Sequence, residues 1–120
     1  MTEPVHAADL TDELEDWGDL APPLGIPLGD AMPTRGLETW AAESGTPSTG
    51  VWECEPGDSR WKLDGEGEFI HVVSGRMTCT SDDGVVTKLG PGDSFTFPPG
   101  WSGTWNIHET LRKVYTMFPA

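Results

Sequence analysis

Glycine and proline interrupt this chain so often that long helices are ruled out over most of it. The sequence holds 15 Gly and 11 Pro among 120 residues. From residue 38 onward they fall into turn signals: Glu55-Pro-Gly-Asp58, Asp64-Gly-Glu-Gly67, Ser74-Gly75, Ser81-Asp-Asp-Gly84 and Gly90-Pro-Gly-Asp93. Between the turns lie short runs rich in Val, Thr, Phe and Trp, the residues that suit a pleated, half-buried surface. The runs at 37–42, 49–55, 59–63, 67–73, 75–81, 84–88, 94–97, 103–107 and 111–118 read as strands. So many short strands with no helical period between them predict an antiparallel sandwich or barrel.

The first 36 residues read differently. Residues 1–20 carry seven carboxylates and no Lys or Arg, and Leu10, Leu14 and Trp17 recur at the spacing of one helical stripe. Residues 21–33, APPLGIPLGDAMP, are too proline-rich for a helix interior or a central strand and predict an extended arm. The domain reading is therefore an acidic, Pro-rich tail and arm over 1–36, helical or extended, followed by one barrel over 37–120.

The formal net charge of −13 disfavours nucleic acid and anionic membrane surfaces, where association relies on attraction to phosphate. No apolar run reaches the length of about 18 residues that a membrane helix needs, and the acidic amino terminus lacks the basic start of a secretory signal. Cys54 and Cys79 show no C-x-x-C spacing, which suits a reduced pair. The expected compartment is the cytoplasm.

The second half carries a sharper pattern. Glu68-x6-Gly75 and Gly92-x5-Pro98-x-Gly100 resemble the end of the first and the start of the second sequence motif of cupins, small jelly-roll barrels of the RmlC-like kind. Gly50-Val-Trp52-Glu-Cys-Glu-Pro56-Gly57, Gly103-Thr-Trp105 and Arg112-Lys113-Val-Tyr115 resemble one subfamily, that named for the (S)-ureidoglycine aminohydrolase cupin domain. The resemblance implies an all-β, single-domain cupin barrel over about residues 38–118, commonly a homodimer.

It also implies a site. Metal-binding cupins ligate a divalent metal through two His and the Glu of motif one and the His of motif two. Here the shorter motif spacing puts Lys62 and Asp64 at the two His positions, and the longer spacing puts Trp61 and Leu63 there. Gly103 stands at the motif-two His position, so only Glu68 remains of the four. His6, His71 and His108 fall elsewhere. A transition metal is not expected; a divalent ion would have to rest on Glu68 and Asp64.

Strand parity adds the pocket. Trp101, Gly103 and Trp105 share one face, Trp52 alternates with Glu53, and Tyr115 and Met117 close the far side. The expected ligand pocket is Trp52, Lys62, Asp64, Glu68, Trp101, Gly103, Trp105 and Tyr115, with Gly103 leaving room at its centre. Glu68, an interior carboxylate, needs a partner such as Lys62, Arg112 or Lys113, or serves as a base or ligand hook. Phe69, His71 and Val73 point outward as a patch for dimerisation. Three functions remain open: a metal-free binder of a small polar metabolite, a metal-dependent aminohydrolase, or a structural or regulatory protein acting through its tail.

Overall fold

A computed structural model describes residues 3–120. Among them a 3-10 turn, Ala7–Asp9, precedes nine strands: β1 Glu15–Asp19, β2 Ile26–Pro27, β3 Pro33–Ala41, β4 Ser48–Cys54, β5 Gly57–Lys62, β6 Glu66–Ser81, β7 Val86–Leu89, β8 Ser94–Phe97 and β9 Ser102–Pro119. Every pairing is antiparallel. The fold is an all-β, single-domain jelly-roll.

Two long bent strands organise it. The amino-terminal half of β6 pairs with β8 and with the carboxy-terminal half of β9, which continues through β4 and β3 to β1. The other halves pair with each other, with β7 beyond β6 and β5 and β2 beyond β9. The sheet therefore folds over itself along β6 and β9, and its inner faces meet in one core. Ile70, Val72, Met77, Phe97, Trp105 and Leu111 are all at most 1% exposed there, and each such side chain contributes roughly 1.5–3 kcal/mol of burial.

The expected breaks inside these strands are bends. Residues 67–73 and 75–81 are one strand, turned at Gly75, which has φ 87. A Cβ at Gly75 would stand 2.1 Å from the Thr110 carbonyl oxygen, so β9 crosses directly over the corner. Register shifts between Val72 and Met77 absorb the bend. Residues 103–107 and 111–118 are likewise continuous in β9. The turn chemistry itself holds: Gly84 N–H donates to Ser81 O at 2.9 Å in the hairpin, and Gly90 N–H donates to Asp93 Oδ2 at 2.8 Å.

Among the described residues, helical order at the amino terminus is confined to the 3-10 turn, so the Leu10, Leu14, Trp17 stripe is not one face of a helix. Leu10 is buried, Leu14 is partly buried, and Trp17 lies in β1, whose ring covers Gly36 so closely that a Cβ there would stand 2.3 Å from it. Tertiary pairing with β3 overrides the local period. Arg112 Nη1 donates to Ala7 O at 2.8 Å, and Arg112 and Arg35 both hold Glu53, at 2.9 and 2.6 Å. The arm is extended and tied to this chain's own barrel: Leu20 N–H donates to Met32 O, Leu28 N–H donates to Asp58 O, and β2 borders β5.

Candidate functional site

The inner face of the β4–β9–β6 sheet brings the site together. Alternation turns Ser48 and Trp52 of β4, Lys113, Tyr115 and Met117 of β9, and Glu68 and Ile70 of β6 toward the same side. From β5, Trp61 and, just beyond it, Leu63 face them. All of these except the fully buried Ile70 line a cleft of about 270 Å³, walled also by Trp17, Pro23 and Leu24 from the amino-terminal arm.

The floor is an ion pair. Lys113 Nζ donates to Glu68 Oε2 at 2.6 Å, with side-chain exposures of 2% and 5%. Of the three cations that could have partnered Glu68, Lys113 does so because it lies two residues from Tyr115 on the inward parity. Arg112, one residue away, points out to Glu53. The ammonium also sits over indole faces, 4.4 Å from the Trp52 ring centroid, 4.6 Å from Trp105 and 5.9 Å from Trp61. Those π faces stabilise a desolvated cation by about 2 kcal/mol, and the carboxylate completes its charge balance. Trp61 stacks on Trp105 with centroids 3.7 Å apart, and its Nε1 donates to Ser59 Oγ at 2.8 Å. Trp105 Nε1 is buried without an acceptor among the described residues.

The other expected pocket residues are placed as follows. Lys62 and Asp64 stand at the rim, with side chains 67% and 76% exposed and their charged atoms 3.8 Å apart. The inward positions of the motif are those of the longer spacing, Trp61 and Leu63, at 3% and 5% exposure. Trp105 is buried behind Trp61 rather than on the cleft surface. Gly103 leaves no open centre: a Cβ there would stand 2.2 Å from Thr80 O and 2.7 Å from the Trp101 ring. Trp101 itself packs edge-on to Phe97, centroids 5.0 Å apart, outside the cleft lining. Sequence reasoning missed Trp61 and Ser48 as lining residues. Extending the inward parity of Trp52 along β4 would have found Ser48, whereas Trp61 is fixed by the pairing of β5 with β9.

The geometry does not fit a transition metal of the cupin kind. No group of three His, Cys, Asp or Glu side chains comes together among the described residues. Glu68 has its Oε2 on an ammonium, Asp64 is turned out to Lys62, and the imidazoles lie elsewhere: His71 bonds Ser94 Oγ and His108 bonds Thr78 Oγ1, both on the exposed surface. Burial pushes the thiols of Cys54 and Cys79 up to about 12, so neither is a ready nucleophile at neutral pH. Burial, with the Glu38 and Glu68 charges, likewise raises the Tyr115 phenol to about 12, which keeps it a neutral hydrogen-bonding group.

Solved structures agree with this architecture. A protein of unknown function of the DUF861 family from Pseudomonas syringae pv. tomato superposes with a TM-score of 0.75 over 87% of this chain, at 18% identity. This chain spans 43% of that protein, less than half its length. The Clostridium difficile EutQ protein matches with a TM-score of 0.63 at 19% identity, over 74% of this chain and 70% of that one. A DUF861 family protein from Thermotoga maritima is 31% identical over 57% of this chain and 76% of that one, with a TM-score of 0.54. No curated protein matches in sequence. The model of the EutQ-like cupin domain matches residues 41–115, and the chain therefore belongs to the EutQ-like cupin domain family.

Proposed function

We propose that this cupin binds a small polar metabolite in the cleft above Glu68 and Lys113, without a transition metal. The observation that carries the reading is the buried pair itself. The one carboxylate left from the cupin ligand set is neutralised by an ammonium of the same chain, held under Trp52 and Trp105. A fixed cation beside Glu68 balances the carboxylate's charge without a metal ion, and it cannot be removed by a chelator. Walls of Trp52, Trp61, Leu63 and Met117 with a few convergent polar groups are the composition expected of a small-molecule site. An aminohydrolase of the ureidoglycine type would need an activated water, and the described residues offer no donor set to hold a metal for it.

The test is a thermal-shift screen of small metabolites on chelator-treated protein, paired with elemental analysis of untreated protein. Stabilisation by a small molecule without added metal is the expected result. Stabilisation that requires metal, together with one equivalent of transition metal in the untreated protein, overturns the reading.

The protein is further proposed to act as a cytoplasmic homodimer. Buried free thiols at Cys54 and Cys79 suit a reducing compartment. Phe69, Val114 and Trp40, at 41%, 37% and 46% exposure, supply apolar surface for a second copy. A solution mass of one chain at micromolar concentration overturns the dimer.

A further inference from the structure

We infer that the ligand presents a protonated amine to Glu68 and carries a compact apolar body, an inference that rests on the binding function proposed above. Besides Lys113, three buried polar side chains line the cleft: Ser48, Glu68 and Tyr115 are 7%, 4% and 8% exposed. Glu68 uses only Oε2, on Lys113; its Oε1, Ser48 Oγ and the Tyr115 hydroxyl have no protein partner among the described residues. Among the described residues Trp105 Nε1 is the fully buried side-chain atom left without a partner, so these three atoms keep some exposure. The cleft thus offers a ligand one carboxylate oxygen and two hydroxyls. A ligand that bonds them directly takes the place of water there.

The sign of the ligand's charge follows from what else is present. Lys113 has spent its ammonium on Glu68 and on two indole faces, so it offers little to an anion. Lys62 is beside Asp64 at the rim. Glu66, also lining the cleft, has no ion-pair partner among the described residues, which leaves the cleft with one negative charge in excess. A ligand ammonium can donate to Glu68 Oε1 as a charge-assisted bond, while the Ser48 and Tyr115 hydroxyls, on the β4 side of the cleft, are open to other polar groups of the ligand. The rest of the ligand meets Trp52, Leu24 and Met117. A cavity of 150 Å³ holds benzene, so 270 Å³ admits about ten non-hydrogen atoms on that scale.

The experiment titrates the full chain by calorimetry with benzylamine, benzyl alcohol and benzoate, which share a ring and differ in charge. Benzylamine is expected to bind at least about tenfold more tightly than benzyl alcohol, the weight of one charge-assisted bond, and benzoate more weakly still. The preference is expected to vanish in Glu68→Gln, or, should that variant fail to fold, in the double variant Glu68→Gln with Lys113→Met, which leaves no lone buried charge. Equal binding of amine and alcohol, tighter binding of benzoate, or a preference that survives both variants overturns the amine assignment while the cleft remains a binding site. No binding of any of the three overturns the assignment, and only joined to a failed metabolite screen does it end the binding reading.

Discussion

Replacing Lys113 by Met tests the centre of the structure most directly. Methionine keeps the length and volume of the lysine stem, so packing against Trp52 and Trp105 is largely retained. What is lost is the ammonium 2.6 Å from Glu68 Oε2 and its contact with two indole faces. The carboxylate, 4% exposed, is then left in an aromatic enclosure with no cation. Breaking a buried pair from one side costs about 3–5 kcal/mol, a large part of the roughly 5–15 kcal/mol that holds a domain folded. At about 4 °C per kcal/mol for a chain of this length, the midpoint of melting falls by about 12–20 °C. Removing both charges, with Lys113→Met and Glu68→Leu together, should bring stability back to within about 1 kcal/mol of the parent, because a well-packed apolar pair avoids both desolvation costs. Urea unfolding followed by tryptophan fluorescence measures each variant. A loss below about 1 kcal/mol for Lys113→Met, or a double variant no more stable than the single one, would refute the picture of a desolvated, mutually dependent pair.

Three further outcomes follow from the same structure. The Tyr115 phenol, raised from 10 to about 12, should show no phenolate absorbance in the native protein until well above pH 10. Because its folded value exceeds its unfolded one, stability is intact below pH 10 and is lost as pH rises toward 12; a normal native titration near 10 would contradict the burial. Cys54 and Cys79, raised to about 12, should resist a thiol reagent at neutral pH and react together once urea unfolds the chain, a difference read by mass spectrometry. Gly75→Ala places a Cβ 2.1 Å from Thr110 O at a φ of 87 and should cost more than about 2 kcal/mol. Gly84→Ala, at φ 90 with open space around it, should cost only about 1 kcal/mol. Equal costs in urea unfolding would show that the β6 corner is not crowded.

Much of the barrel was legible because turns are local. Asp82-Asp83-Gly84 and Gly90-Pro-Gly-Asp93 place their own hydrogen bonds within a few residues, so the hairpins could be read without knowing what lies across them. Gly75 shows the limit of that reading. The same residue type ends a strand or bends one, and only the position of Thr110 on β9 decides which. Trp17 shows it again: the spacing from Leu10 and Leu14 suits a helix, yet the ring finds a bare patch at Gly36 on β3, and no local pattern announces that patch.

The site divides along the same line. Glu68 was identifiable as an interior carboxylate from motif spacing, and Trp52 and Tyr115 from parity along their own strands, since alternation needs nothing beyond one strand. Register across strands is another matter. Whether Lys62 and Asp64 or Trp61 and Leu63 face inward is a one-residue choice that flips every side chain, and pairing of Trp61 with Gly103 makes it. Composition and short-range order thus determined an acidic, all-β chain with one buried carboxylate. Tertiary packing alone decided that Lys113 neutralises it, that Trp101 fills the space over Gly103, and that the arm walls the cleft. Burial energies and electrostatic partners belong to atoms far apart in sequence, and they exist only once the sheet has closed.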